Sequence, residues 1–529
     1  MPCLVHTGAM VIRSASLSAE SQSVNAALQK IEADISNLEV LRIEFRRRKN
    51  DLDALTSVLP TETLSTIFEV VCELPEGSPY HHTCYPLVLA SVCSRWQKIV
   101  YSTPSLWQGL QLRLYHPSRT SRMSLTLLRS YVQRLRALSL SLRVSCNPTA
   151  RHKHLSRADI APVDDLFEII LEECPEKLGS LVLNNVPRGW WALLPSVPSL
   201  SAKFPRLERL AFSWSEKYRD PPIEPFQKHM VPRLKSVSLC GERLPILLPW
   251  DQITILELKN MNVWQCIKLL SQCPLLEEYR CQGALLSTVQ GQGFDVMREV
   301  KIYPHMKHVS WHFGLVGWDI VLMEHVQFPN LRTMSWLKHS YGSSFLDTAE
   351  NFGGVSYPLI RQRFMSKPQS LTVFKGSLSL WSIEELFKTL PRTLQELYLT
   401  DGHGTATLDT FRLLILSDDE PNTNIFPNLC VLSTPFLCPP QPNDCNSATV
   451  ALKMLQSRRE GPSEKWKLYQ RIRLIRLICP VPIMYTGWAV HLDELQQLIR
   501  EGLEVEEEER RFEGATTSVA TRVGINPQH

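Results

Sequence analysis

A chain of 529 residues is longer than one hydrophobic core supports, so more than one domain is expected. Its 57 basic and 53 acidic residues leave a formal charge of +4, too even a balance for a dedicated nucleic-acid or anionic-membrane binder. No apolar run approaches the roughly 20 residues of a bilayer span, and the first twenty residues lack the charged region and sustained apolar run of a signal peptide.

Residues 1–17 carry no periodicity and are expected to be disordered. From Ser18 the pattern turns helical. Leu28, Ile35, Arg42 and Lys49 fall on one heptad position and Ile31, Leu38, Phe45 and Leu52 on another, the seam of a coiled coil. Two readings stay open for 18–58: a self-associating coil, or a single amphipathic helix packed on the next domain. Leu59-Pro60 stops that helix, and LPTETLSTIFEVVCEL restarts one with Pro60 in its first turn and Thr61 or Thr63 as cap. Leu64, Ile67, Phe68 and Val71 form its apolar face. After a turn-rich loop (PEGSPYHHTCYP), PLVLASVCSRWQKIVYSTPSLW reads as a third helical stretch buried along Leu89, Val92, Cys93, Trp96 and Ile99.

Beyond residue 113 short runs of L-x-x-L-x-L type recur, among them Leu135/Leu138/Leu140, Leu178/Leu181/Leu183, Leu207/Leu210/Phe212, Leu234/Val237/Leu239, Ile253/Leu256/Leu258 and Leu394/Leu397/Leu399. Chance alone supplies roughly twenty such triplets, so their number proves little. The tetrapeptide Phe/Val-Pro-Arg/Asn-Leu at Phe204–Leu207, Val231–Leu234, Phe328–Leu331 and Phe426–Leu429 is more informative, since about 0.05 chance occurrences are expected. Its prolines are 27, 97 and 98 residues apart, which predicts one unit and then twice four units of the leucine-rich-repeat length. Each unit is expected to open with the proline at a strand start and to return as a helix, as in VWQCIKLLSQCP and SIEELFKTLP, with ten to thirteen units stacked on a shared apolar spine. The pattern is irregular over Gln282–Phe328 and Lys338–Met365. RIRLIR at 471–476 reads as a strand with an outward polar face, and residues 500–529 as a terminal helix fraying into a charged and polar tail.

Fourteen cysteines without framework spacing read as free thiols in a reducing compartment, cytosol or nucleus. Cys266, Cys273 and Cys281 form no C-x-x-C pair, and His305, His308 and His312 lack an acid in zincin spacing. His81-His82-x-Cys84 has no second half. No phosphate-binding glycine loop and no nucleophile elbow occurs in the sequence, so no metal, cofactor or catalytic residue is expected.

The segment 59–110 resembles the F-box, the helical module that docks a chain onto the Skp-type adaptor of cullin–RING ubiquitin ligases. The resemblance is carried by Leu59-Pro60-x-Glu62-x-Leu64-x-x-Ile67-Phe68, Val92-Cys93-x-x-Trp96 and Pro104-x-Leu106-Trp107; the loop from Cys72 to Pro86 is longer than in the compact form of the family. It implies that Leu59, Pro60, Leu64, Ile67 and Phe68 lie at the adaptor contact, and that Val92, Cys93, Trp96, Leu106 and Trp107 close a small three-helix core. The expected architecture is therefore an α+β or α/β repeat protein: helix or coiled coil 18–58, F-box 59–112 and an irregular leucine-rich-repeat solenoid 113–499. The expected role is non-enzymatic, that of a substrate receptor whose module docks the adaptor, and through it a cullin, while the repeats hold a target protein. The alternatives are a repeat scaffold acting outside a ligase and an enzyme with its site in 282–365.

Overall fold

The computed structural model describes residues 6–53, 58–72, 85–114, 122–146, 169–185, 204–214, 226, 228–241, 248–283, 300–313, 318–338, 362–377, 383–400, 404–416, 426–435, 446–460, 472–479, 491–509 and 521–522. The chain divides into two compact units, Met1–Ser180 and Leu181–His529.

In the first unit α1 (His6–Asp53) is one helix of 48 residues, so the chain is helical well before Ser18, where disorder was expected. Residues 54–57, between α1 and Leu59-Pro60, lie outside the described residues. Helix α2 (Thr61–Cys72) starts with the Pro60 carbonyl accepting the Leu64 N–H at 3.1 Å, so Pro60 itself sits at the cap rather than inside the first turn. The third helical stretch is two helices, α3 (Tyr85–Val92) and α4 (Ser94–Ser102). Cys93 breaks them apart with extended backbone, and its Sγ accepts the Trp96 N–H at 3.5 Å, as a polar N-cap would. A 3-10 turn, Pro104–Trp107, leads into β1 (Gly109–Leu114). Helix α5 (Arg122–Arg134) and β2 (Leu140–Cys146) follow, and β1 and β2 pair in parallel from Gly109↔Ser141 to Leu114↔Cys146.

This corrects the boundary drawn at 112/113. Residue 112 lies inside β1, and its backbone belongs to a ladder that cannot be cut without orphaning its hydrogen bonds. Strand β1 is therefore continuous with the helical segment that precedes it. The triplet Leu135/Leu138/Leu140 is also out of frame. Leu138 is exposed in the turn before β2, and the inward positions of that strand are Leu140, Leu142 and Val144.

Strand β3 (Leu178–Asn184) crosses the join of the units. The second unit then runs β4 (Arg209–Ser213), β5 (Ser236–Cys240), β6 (Ile255–Lys259), α6 (Val263–Gln272), β7 (Glu278–Gln282), β8 (Lys301–Ile302), β9 (His308–Phe313), α7 (Trp318–His325), β10 (Val326–Gln327), β11 (Thr333–Lys338), β12 (Val373–Ser377), α8 (Ile383–Thr389), β13 (Glu396–Thr400), α9 (Gly404–Leu414), β14 (Val431–Pro435), α10 (Asn446–Glu460), β15 (Leu474–Cys479), α11 (Leu492–Arg500), β16 (Glu504–Glu509) and β17 (Thr521–Arg522). Each of β4, β5, β6, β7, β9, β11, β12, β13, β14, β15 and β16 pairs in parallel with the next, in chain order; β17 closes the edge antiparallel to β16, and β8 pairs with β10 apart from the main sheet. Parallel neighbours in sequence order, with helices in many of the returns, give a solenoid-like α/β arrangement.

Register explains the core. Leu210, Val237, Leu256, Tyr279, Val309, Met334, Phe374, Leu397, Leu432, Ile475 and Val505 stand opposite one another along successive strands, and all are buried. Every second side chain of each short strand thus joins one apolar row. The four proline tetrapeptides each make the same turn. The fourth-residue N–H donates to the first-residue carbonyl at 3.3, 3.1, 3.3 and 3.2 Å, and the first residue (Phe204, Val231, Phe328, Phe426) is buried. Proline fits because it presets the second residue of such a turn. The strand proper starts two residues after the leucine.

From Pro232 to Pro329 the ladder advances four strands, β5 to β11 by way of β6, β7 and β9, as the spacing predicts. From Pro329 to Pro427 it advances three, β11 to β14, where four were expected. A long return between β11 and β12 consumes the length of a unit; its residues 339–361 lie outside the described residues. The region read as irregular over 282–328 contains the regular strand β9 with inward Val309 and Trp311. The acidic stretch read as a fraying helix and tail is instead the end of the ladder. Leu503 and Val505 are buried at alternate positions, and β16 pairs with β15 from Leu474↔Glu504 to Cys479↔Glu509.

Candidate docking module and sheet face

The F-box-like residues separate into two sets. Leu64 and Phe68 point inward from α2 and are each 1% exposed, so they build the module's core and present no surface for an adaptor. Phe68 meets the ring of Trp96 from α4 at 4.7 Å. Trp107 is fully buried, and its indole N–H donates to the Val100 carbonyl at 2.9 Å, the partner a buried tryptophan needs. Leu106 and Cys93 are buried, while Val92 and Trp96 are half-buried.

The other set faces solvent. Pro60 is exposed, Leu59 is half-buried with its carbonyl accepting from Arg95, and Ile67 is 44% exposed. Val70 at 65% stands one turn after Ile67 on the same side of α2, and Val58 and Val88 are also exposed apolar residues of this unit. Val58, Val70 and Val88 were not singled out from the sequence. Val70, three positions after Ile67, shares its face of α2, but that this face is the exposed one follows only from the structure. Ser105 donates to Glu69 at 2.5 Å, tying the 3-10 turn to α2, and the Thr103 hydroxyl donates to the Ile99 carbonyl at 2.7 Å, closing the end of α4.

In the second unit, the alternate side chains form a polar row on the other side of the sheet, all at least part-exposed but Ser433, which is buried. Ser238, Glu257, Arg280, Ser310, Ser335, Lys375, Tyr398, Ser433, Arg476 and Glu506 stand in register across ten strands. Neighbours satisfy one another along it. Ser238 donates to Glu257 at 2.7 Å, Lys259 pairs with Glu257 at 2.8 Å, and Arg280 pairs with Glu278 at 2.6 Å. Burial pulls the Glu257 carboxyl upward, but the Lys259 and Ser238 hydrogen bonds outweigh it and hold the group below the usual carboxylate range.

Farther along, Tyr398 sits between two cations, with the Lys375 ammonium 4.8 Å and the Arg476 guanidinium 6.0 Å from its ring. Its hydroxyl donates to Glu396 at 2.9 Å, and Arg476 donates to Glu506 at 2.8 Å. Burial and the Glu396 carboxylate push the Tyr398 phenol up to about 12. An aromatic ring fixed by flanking cations and a paired hydroxyl is a rigid anchor of the kind that carries protein–protein contacts.

The histidines and cysteines weighed for metal are engaged otherwise. His308 contacts the Thr333 hydroxyl at 2.7 Å and His312 the Ser310 hydroxyl at 3.1 Å. Cys266 and Cys281 are buried thiols 3.9 Å apart, and the hydrogen bond between them, with burial, raises the Cys266 thiol well above its ordinary value. Burial also pushes Cys273 up to about 12 and Cys72 up to about 11, so neither is a thiolate at neutral pH. Among the described residues no cluster of three or more histidine, cysteine or acidic side chains is placed to hold a metal ion, and no helix is long and apolar enough to cross a membrane. His81, His82 and Cys84 lie outside the described residues. No protein-family model matches the chain, and no curated protein matches it in sequence.

Proposed function

We propose that the chain is the substrate-receptor subunit of an SCF-type ubiquitin ligase. Its three-helix module docks a Skp-type adaptor, and through it a cullin, while the polar face of the repeat sheet holds a target protein. One observation carries the reading: on the helix bearing the L-P-x-E-x-L-x-x-I-F pattern, Leu64 and Phe68 turn inward while Ile67 and Val70 remain exposed. A self-sufficient helix in a small module gains nothing from exposed apolar residues one turn apart, whereas an interface uses them. The chain's contribution is then proximity, since a protein fixed at one end and loaded at the other raises the effective concentration of target at the transfer machinery. None of its own residues is required to touch the chemistry, and reducing compartments, cytosol or nucleus, are where it acts.

The test is affinity purification of the intact chain and of a chain lacking residues 59–107, scored for the adaptor and a cullin. Both are expected with the first and neither with the second. A folded intact chain that recovers neither overturns the ligase reading.

A further inference from the structure

Among the described residues, the seam of α1 is left exposed. Leu28, Ile31, Ile35, Leu38 and Phe45, all on the two heptad positions, are each between 51% and 68% exposed. The helix is nevertheless fastened to the docking module, by its back. Arg47 donates to the Gln97 side chain at 3.5 Å and Asn50 to the Val92 carbonyl at 2.7 Å. With the seam at positions a and d, Arg47 and Asn50 fall at f and b, the opposite side. The attachment to α3 and α4 therefore leaves the apolar seam facing outward over its central turns.

Charge decides what covers it. In the same frame Glu32, Glu39 and Arg46 occupy e, and Asp34, Leu41 and Arg48 occupy g. A parallel, in-register partner sets Asp34 against Glu39 twice and leaves Glu32 and Arg46 facing Ala27 and Leu41; it matches only Arg48 with Asp53. An antiparallel partner centred on position 40 sets Glu32 against Arg46 twice and Asp34 against Arg48 twice. It also brings Leu41 onto Leu41 of the second copy, with one like-charge meeting, Glu39 with its own counterpart. Ile35 then packs on Phe45 of the second copy, and Arg42 lies over Leu38 of the second copy with its head free to reach water.

We infer that α1 pairs with a second copy of this chain as an antiparallel coiled coil, matched by Glu32–Arg46 and Asp34–Arg48. The helices' attachment points at Asn50 are then on the order of 30 Å apart along the axis, from 1.5 Å of rise per residue, so two docking modules sit at opposite ends of one coil. This inference rests on α1 and its attachment to α3 and α4, and holds whether or not the module binds the adaptor.

The experiment uses the full chain. Native cysteines are absent from 18–58, so single cysteines placed there report on register. Leu41→Cys is expected to form a disulfide-linked dimer under mild oxidation, with the crosslinked peptide of residue 41 identified by mass spectrometry, and Leu28→Cys is not. The unsubstituted chain gives the background. Sedimentation gives the second readout: Arg46→Glu is expected to weaken the dimer about tenfold, and Glu32→Arg added to it to restore the wild-type affinity, at unchanged helicity. The inference is overturned by a monomeric wild-type chain at the highest soluble concentration. It is equally overturned by crosslinking through Leu28→Cys instead of Leu41→Cys, or by failure of the charge exchange to rescue.

Discussion

Trp107 lies edge-on against Tyr131, the ring centroids 4.9 Å apart at 77°, and Arg134 covers the opposite approach with its guanidinium 4.8 Å from the indole. The tryptophan that ends the Pro104-x-Leu106-Trp107 motif is thus the residue on which α5 is seated. Trp107→Ala removes that seat together with the indole hydrogen bond to Val100. It is expected to cost about 3–5 kcal/mol and to lower the unfolding midpoint of both the module and the parallel β1–β2 pair together. Hydrogen exchange on β1 and β2 amides checks the second part; loss confined to α2–α4 contradicts it. The same contact predicts that a fragment starting at residue 113 exposes Tyr131 and aggregates, while one starting at residue 104 stays in solution.

Gly283 follows β7 at φ +59°, and a Cβ added there would stand 2.6 Å from Asn260 Oδ1. Asn260 is itself left-handed at φ 54° at the equivalent point after β6, and its N–H donates to the Gln282 carbonyl at 2.9 Å. Gly283→Ala therefore meets both a disfavoured backbone region and a blocked space. A loss of about 1–3 kcal/mol is expected in denaturant unfolding. Adding Asn260→Gly, which removes the blocking oxygen and suits its own backbone, is expected to recover part of it; purely additive losses would show that the contact is irrelevant.

Much of the repeat region was legible because inward positions hold leucine, isoleucine or valine at fixed offsets, as in Leu207/Leu210/Phe212 and Leu394/Leu397/Leu399. The rest was hidden where the same geometry is filled differently. Met306, Val309 and Trp311 occupy an ordinary unit, and Leu331, Met334 and Trp336 another, but tryptophan and methionine at those positions escape a leucine pattern. Glu504 and Glu506, outside the core, disguised β16, whose Val505 is buried and which follows the buried Leu503. In residues 59–107 the motif located the helices, yet the sequence alone could not divide Leu64 and Phe68 from Ile67 and Val70. That division depends on where α3 and α4 lie around α2.

The frame of β2 can be tested directly. Leu142 is fully buried, and Leu142→Ala is expected to cost about 2–5 kcal/mol. Leu138 is exposed in the preceding turn, and Leu138→Ser is expected to stay within about 0.5 kcal/mol. Comparable losses would restore the frame in which Leu138 points inward.

Glu257 gives the polar face a pH dependence. Its folded carboxyl lies below the usual range, so it contributes stability above the unfolded pKa and loses that contribution as pH falls through the folded one. Wild type should therefore exceed Glu257→Gln in stability at neutral pH, with the gap closing as pH drops below about 4.3, the ordinary glutamate value. A gap that widens in acid has the wrong sign for a depressed carboxyl.

The docking proposal turns on neighbours in one helix. Ile67 and Val70 leave α2 on its open side, whereas Phe68, between them in sequence, is buried against Trp96. Changing Ile67 and Val70 together to serine removes apolar surface from an interface without opening the core. Each fully buried side chain of this kind contributes about 1.5–3 kcal/mol, so adaptor affinity should fall by two orders of magnitude or more. Circular dichroism and the thermal midpoint of the full chain should remain those of wild type. Phe68→Ala should behave in the opposite order, losing about 3–5 kcal/mol of stability first and adaptor binding only as a consequence. If the two variants lose the adaptor in step with lost folding, Ile67 and Val70 are core residues of a larger assembly of helices. If the double variant binds as tightly as wild type, the exposed side of α2 is not where the adaptor sits.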